Sequence, residues 1–264
     1  MTTTTTYPLT ITGVGPVDVT VSQRGTGRDI LLLHGGAGPQ SVDLIADLLA
    51  AGNARVLTPT HPGFGGTPRP AALSSIGGLA SVYLGLLDEL DVHDVTVVGN
   101  SIGGWIAAEM AVTGSPRISG LVLVDAVGIE VSGHPVVDFF SLNLDQVAQL
   151  SYHDPIKFRI DPTAMPPAQR EIMAGNRAAL AAYAGTAMVD PTLNERIGAI
   201  TVPTLVLWGD SDQIVDPEYG RAWAAAIPSA RFQLLSNTGH VPQIETPELV
   251  LEAISAFAAG KAVD

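Results

Sequence analysis

The chain has 264 residues, of which 46% are hydrophobic and 15% charged, and a formal net charge of −13. That length and composition fit one large globular α/β domain or a domain with an insertion, and exclude a disordered chain. The acidic balance disfavours nucleic acid and anionic membranes as partners, and the lack of cysteine excludes disulfides, a thiol nucleophile and thiolate–zinc sites.

The N-terminal run from Met1 to Tyr7, mostly threonine, has neither a basic start nor an apolar stretch. It is therefore not read as a signal peptide and is expected to be a frayed tail. Tyr7 to Thr12 and Pro16 to Ser22 are β-rich and separated by Gly13-Val14-Gly15, which predicts a hairpin. Ile30 to Leu33 is a continuous apolar run, as expected of a strand buried on both faces, and it ends in the loop His34-Gly35-Gly36-Ala37-Gly38-Pro39. Ser41 to Ala50 has helical spacing, Ala54 to Thr58 is the next strand, and Thr60 to Pro70 is a loop dense in Gly and Pro. Ser75 to Leu90 reads as a helix, Val95 to Val98 as a strand, Trp105 to Val112 as a helix and Leu121 to Val124 as a buried strand closing at Asp125. Near the C-terminus the order resumes, with strands at Thr204 to Leu207 and Arg231 to Leu235 and helices at Pro217 to Ala226 and Pro247 to about Ala259, the last with Thr246 as expected N-cap.

Regular alternation of strand and helix implies βαβ units: an α/β fold whose mostly parallel central sheet carries helices on both faces. Between Val127 and Ile200 the alternation fails. Val136 to Leu150 and Pro167 to Ala184 read as helices, broken at Asp154-Pro155, Asp161-Pro162 and Pro166-Pro167. The expected division is a core over residues 1–126 and 201–264, interrupted by a helical lid over 127–200 that covers the C-terminal edge of the sheet. Phe139, Phe140, Tyr152, Phe158, Tyr183, Met165, Met173 and Met188 of that insertion either line an apolar substrate pocket or form the insertion's own small core; both readings stay open. No stretch of about 18 uninterrupted apolar residues occurs, so no membrane span is expected. The expectation is a soluble cytoplasmic protein acting on a small molecule, with the oligomeric state open, a homodimer included.

The most informative stretch is Gly99-Asn100-Ser101-Ile102-Gly103-Gly104, a G-x-S-x-G pattern between a strand and an Ala-rich helix. A serine on so tight a turn is forced into view, which is how a nucleophile is presented. A serine hydroxyl needs a base, usually a histidine held in one tautomer by a carboxylate. His240, in the loop before the last helix, fits that place; His34 and His61 lie at the same sheet edge, whereas His93, His134 and His153 do not. The carboxylate candidates at that edge are Asp210, Asp212 and Asp125.

The motifs His34-Gly35-Gly36, Gly99 to Gly104, Gly209-Asp210-Ser211-Asp212 and Gly239-His240, in the order Ser, Asp, His, resemble the α/β-hydrolase family over nearly the whole chain. The resemblance implies a Ser101, Asp212, His240 triad, because the acid usually stands three residues after the glycine of the G-x-x-D turn; Asp210 is then a turn former, and Asp125 holds a position that some members use for the acid. It implies an oxyanion hole made of the Gly36 and Ile102 backbone N–H groups, with Ala37 as the neighbour of Gly36. His34 is read as a structural hydrogen-bonding residue. His61-Pro62-Gly63-Phe64-Gly65 resembles the D-x-P-G-x-G loop, with His61 as a departure, and Phe64 is read as shielding the pocket. Gln243 and Glu245 are read as anchors of the last helix. Neither a cofactor nor a metal is implied.

The function expected from the resemblance is a serine hydrolase cleaving a small carboxylic ester or lactone. The alternatives are a C–C bond hydrolase acting on a meta-cleavage-type dienol dione, a cofactor-free perhydrolase with the same triad, and a non-catalytic ligand-binding member of the fold. The Gly-Asn-Ser-x-Gly-Gly turn resembles the C–C hydrolases, but Val241 stands where they commonly carry Trp. Serine at 101 argues against the haloalkane dehalogenase and epoxide hydrolase branches, which carry aspartate there.

Overall fold

The computed structural model describes residues 1–161 and 163–260. The break expected at Pro162 and the last four residues of the second core part lie outside the described residues. Eight strands form one sheet in the order β1-β2-β4-β3-β5-β6-β7-β8. They are β1 (Thr2–Ile11), β2 (Gly15–Gly25), β3 (Arg28–Leu33), β4 (Ala54–Pro59), β5 (Val95–Asn100), β6 (Ile118–Val124), β7 (Thr204–Gly209) and β8 (Ala230–Leu235). β1 and β2 pair antiparallel, as do β2 and β4, and every pairing from β4 through β3 to β8 is parallel.

The continuous apolar runs are explained by period-two burial on both faces. Leu31, Leu33, Val97, Leu121, Leu123, Val206 and Trp208 point into one core cluster, against α2 (Ile76–Glu89), α3 (Ile102–Val112) and α8 (Pro217–Ala226). Ile30, Leu32, Val98, Val122, Val124, Leu205 and Leu207 point into the other, against α1 (Asp43–Ala51) and α10 (Pro247–Ala258). Helices on both faces leave only the strand ends free, and the loops after β3, β5, β6, β7 and β8 gather at one edge.

Between β6 and β7 the described residues form α4 (Leu144–Ser151), α5 (Pro155–Phe158), α6 (Pro167–Ala184), α7 (Leu193–Arg196) and short 3₁₀ turns, with a single isolated β-bridge from Gly128 to Val189. α9 (Pro242–Glu245) is one turn between β8 and α10.

Three expectations are corrected. The threonine run is not a frayed tail: Thr2 to Thr6 pair with Arg24 to Thr20 of β2, and side-chain bonds join Thr4 to Ser22 and Thr6 to Thr20. Threonine is β-branched and favours extended backbone, and here a strand lies beside it. The helix expected from Val136 starts only at Leu144, because Asn143 and Gln146 form a reciprocal capping box; Phe139–Ser141 is a 3₁₀ turn. Thr246 precedes α10 without capping it, since its hydroxyl bonds that of Thr238.

The turn between β5 and α3 is close-packed enough to test. A Cβ on Gly99 would meet the Gly103 carbonyl oxygen, a backbone group that cannot swing away. Gly99→Ala is expected to lower the unfolding free energy by about 3 kcal/mol or more. Urea unfolding measures this, and a loss below about 1 kcal/mol would contradict the packing described.

Candidate active site

Ser101 sits between the end of β5 and the start of α3 with φ 55° and ψ −118°. This left-handed backbone is uncommon for a side chain other than Gly and carries strain of about 1–3 kcal/mol. The surroundings hold it there: Ser101 N donates to Val124 O at 2.9 Å, and its carbonyl accepts from Gly104 N and Trp105 N. The result is a hydroxyl turned out of the sheet toward His240.

The Ser101 hydroxyl donates to His240 Nε2 at 3.0 Å, and His240 Nδ1 donates to Asp212 Oδ2 at 2.8 Å. Asp212 is 2% exposed, and its Oδ1 accepts from the N–H groups of Ile214 and Val215. A carboxylate held this way fixes the imidazole with its proton on Nδ1, leaving the Nε2 lone pair for the serine. The three residues come from the ends of β5, β7 and β8.

The other two carboxylate candidates have different surroundings. Asp210 accepts from Asn237 N, Thr238 N and the Ser211 hydroxyl, and so ties the loop after β7 to the loop after β8. Asp125 lies fully buried beside the Asp212–His240 pair. Its Oδ1 accepts from Gly209 N at 2.8 Å, while Oδ2 has no partner. Burial, reinforced by the neighbouring Asp212 carboxylate, holds the Asp125 carboxyl well above the usual carboxylate range. Both effects favour the protonated form of Asp125, and the unpartnered oxygen is the natural place for that proton.

Asp125, Asp212 and His240 are the one group of potential metal ligands among the described residues, with a donor atom from each within 4.8 Å of the others. The imidazole nitrogens and both Asp212 oxygens are engaged in hydrogen bonds with one another, with the Ser101 hydroxyl and with backbone N–H groups.

The glycine-rich loop after β3 lies across from Ser101. Gly36 and Ala37 line the same cavity as Ser101. Among the described residues the N–H groups of Gly36 and Ile102 donate to no protein acceptor. A pair of buried histidines supports this loop. His34 Nδ1 donates to Gly35 O and its Nε2 accepts from His61 N; His61 Nε2 donates to His34 O and its Nδ1 accepts from the Tyr83 hydroxyl. Each ring uses one nitrogen as donor and one as acceptor, which only the neutral form can do. Burial lowers the pKa of His34 to about 4, and burial with the adjacent His34 holds His61 well below its ordinary value. Phe64 packs edge-on against both rings and is fully buried, so it does not shield the pocket as expected.

The cavity over Ser101 has a volume of about 580 Å³. Its wall is mainly apolar and includes Phe139, Tyr152, Phe158, Met173 and Met188, together with Arg170 and Arg177. Arg177 is held in place by the carbonyls of Phe139, Phe140 and Leu142, whereas the Arg170 guanidinium has no hydrogen bond or ion pair among the described residues. Of the other insertion side chains, Tyr183 is buried with its hydroxyl on Pro62 O, so it serves packing.

Two residues do more than anchor the last helix. Gln243 donates to Asn100 Oδ1, and Asn100 Nδ2 in turn donates to the carbonyls of Val124 and His240. Glu245 accepts from backbone N–H groups of the His240 loop and of the segment after α4. Nothing in the local pattern of either residue points to these partners, most of which lie far away in sequence. Placing His153 away from this edge is also corrected, because its ring bonds the Ser211 hydroxyl.

The Alpha/beta hydrolase family profile matches residues 30–253. The chain is 28% identical over 245 residues to the 2-hydroxy-6-oxononadienedioate/2-hydroxy-6-oxononatrienedioate hydrolase of Cupriavidus pinatubonensis, covering 84% of this chain and 83% of that one. It is 28% identical over 249 residues to Lipase 3 of a Moraxella species, covering 89% and 78%. In fold it is similar to a thermophilic esterase from Thermogutta terrifontis, with a TM-score of 0.78 at 24% identity over 97% of this chain and 98% of that one. Among the described residues no helix is long and apolar enough to cross a membrane.

The buried titratable groups act on stability with opposite signs. Between the ordinary and the raised Asp125 values the folded state holds more protons than the unfolded one, so this group's contribution falls as pH rises. Asp125→Asn does not titrate, so its Tm relative to wild type is expected to rise with pH above the ordinary carboxylate range; a pH-independent difference would contradict a raised Asp125 value. His34 and His61 have lowered values, so their stabilising contribution is present above about pH 6.5 and is lost as pH falls toward about 4. Melting curves across that window are expected to show an acid-side loss that is smaller in His34→Gln.

Proposed function

The chain belongs to the alpha/beta hydrolase family, and on that premise we propose that it is a serine hydrolase cleaving small carboxylic esters or lactones through an acyl-enzyme on Ser101. The observation that carries this reading is the unbroken hydrogen-bond chain from Ser101 through His240 to Asp212, opening into an apolar cavity. An apolar wall receives an acyl or alkoxy group by burial.

In the proposed cycle His240 Nε2 takes the hydroxyl proton as Ser101 Oγ attacks the carbonyl carbon. The carbonyl electron pair moves to oxygen, and the N–H groups of Gly36 and Ile102 bind the oxyanion. The pair returns, the C–O bond to the alkoxy group breaks, and His240 delivers the proton to the leaving oxygen. Water then attacks the acyl-enzyme by the same route, and Ser101 regains its proton. Asp212 keeps the imidazole oriented and stabilises its charged form; losing one oxyanion donor would raise the barrier by about 3 kcal/mol. The helical segment over 127–200 acts in this reading as the lid that keeps bulk water from the acyl-enzyme.

A second reading is favoured by Arg170. Arg170, exposed at the mainly apolar wall that it shares with Arg177, has no hydrogen bond or ion pair among the described residues, and such a cation fits a substrate carrying a carboxylate. The Cupriavidus relative is named as a hydrolase of dioates. The same triad would then cleave a C–C bond of a dienol dione bearing a carboxylate.

Purified protein is expected to hydrolyse short p-nitrophenyl esters and to be labelled at Ser101 by a fluorophosphonate. Ser101→Ala and His240→Ala are expected to lower kcat about 10⁴-fold or more without loss of fold. Absence of both activity and labelling in the wild type sinks the hydrolase reading. Faster turnover of a dienol dione than of esters, weakened about tenfold or more in kcat/KM by Arg170→Ala, would select the second reading.

A further inference from the structure

We propose that Glu245 is a positioning residue for His240: its carboxylate clamps the end of α4 to the loop that carries the base. The inference rests on the hydrolase reading and extends it to the insertion.

The last carbonyls of a helix have no intrahelical donor and need partners from elsewhere. In α4 these donors come from the two loops of the proposed triad. Leu150 O accepts from Gln213 N at 3.0 Å, next to Asp212, and Ser151 O accepts from His240 N at 2.7 Å. The chain then turns, and the two following amides seek acceptors. His153 N donates to Glu245 Oε2 at 3.1 Å and Asp154 N to Oε1 at 2.9 Å, while Oε2 also accepts from Gly239 N at 2.7 Å. One carboxylate thus gathers three N–H groups, one of them from the residue preceding His240.

The seam is tight as well as polar. A Cβ on Gly239 would meet the Ser151 carbonyl and the Tyr152 backbone, so the two backbones are in direct contact. On its other side the His240 carbonyl accepts from Asn100 Nδ2 at 3.0 Å. The backbone of the base is therefore pinned from two directions, by the nucleophile turn and by the insertion. Ser151 and Tyr152 also line the cavity. The segment that would touch bound substrate is the segment that holds His240, so the base is in register only when the insertion is docked.

The experiment compares wild type, Glu245→Ala and Glu245→Gln as full-length proteins. Three quantities are read: kcat and KM on p-nitrophenyl butyrate, the rate of Ser101 labelling by a fluorophosphonate, and Tm. Glu245→Ala is expected to lower kcat and the labelling rate together by about 10- to 100-fold with KM changed by less than about threefold, since a small misplacement of the base acts on the chemical step. In Glu245→Gln the amide oxygen can still accept from Gly239 and His153 but the NH2 group cannot accept from Asp154, so this variant is expected to recover most of the activity, with kcat about two- to fivefold below wild type. Wild-type kcat and labelling in Glu245→Ala, with only Tm lowered, would overturn the proposal, as would Glu245→Gln as slow as Glu245→Ala. If Glu245→Ala does not fold, Glu245→Gln decides alone: a kcat loss of about two- to fivefold at unchanged KM supports the clamp, and a change in Tm alone overturns it. A wild type that is neither active nor labelled overturns the hydrolase reading and this proposal with it, an outcome distinct from labelling that is equal across the three proteins.

Discussion

Parallel strands end in backbone amides and carbonyls that the next strand no longer pairs, and in the interior such groups must find partners. At the C-terminal edge of this sheet, side chains take them up. Asn100 serves the carbonyls of Val124 and His240, Asp125 the amide of Gly209, Asp212 the amides of Ile214 and Val215, and Asp210 the amides of Asn237 and Thr238. Most of these polar residues join the ends of neighbouring elements. Ser101, His240 and Asp212 stand at the centre of this lattice, so the lattice that completes the fold also fixes their geometry.

The same edge concentrates titratable groups whose charge is suppressed by burial. His34 and His61 use every ring nitrogen in a pattern open only to neutral imidazole, and burial beside Asp212 pushes the Asp125 carboxyl up, toward its protonated form. The glycine loop that lines the cavity through Gly36 and Ala37 thus rests on a histidine pair that carries no charge at neutral pH.

Part of this arrangement is legible in the chain and part is not. Gly99, Ser101, Gly209, Asp212 and His240 stand at spacings tied to a turn or loop at a strand end, and those turns are local. Which of Asp125, Asp210 and Asp212 meets the imidazole depends on how far β6 and β7 extend and on where the β8 loop returns, which is not local. The threonine run escapes a local reading because its partner, β2, supplies the ladder that makes it a strand. Phe64 escapes it because one of the rings it packs on, His34, belongs to the separate loop after β3, joined by the bond from His61 N to His34 Nε2. Glu245 carries no local sign of its partners: its three donors come from two segments that meet only in the folded chain.

By itself, the sequence determined the α/β class, the alternation of buried strands with helices and the identity of the strand-to-helix serine turn. These follow from hydrophobic period and from residues whose backbone freedom is set within a few positions. The tertiary structure alone decided that Asp125 is buried beside Asp212 with its carboxyl pushed up, which side chains between β6 and β7 face Ser101, and that the end of α4 meets the loop carrying His240. Those outcomes depend on burial and on hydrogen bonds between groups far apart along the chain, where periodicity carries no information and only the packed interior sets the dielectric and the distances.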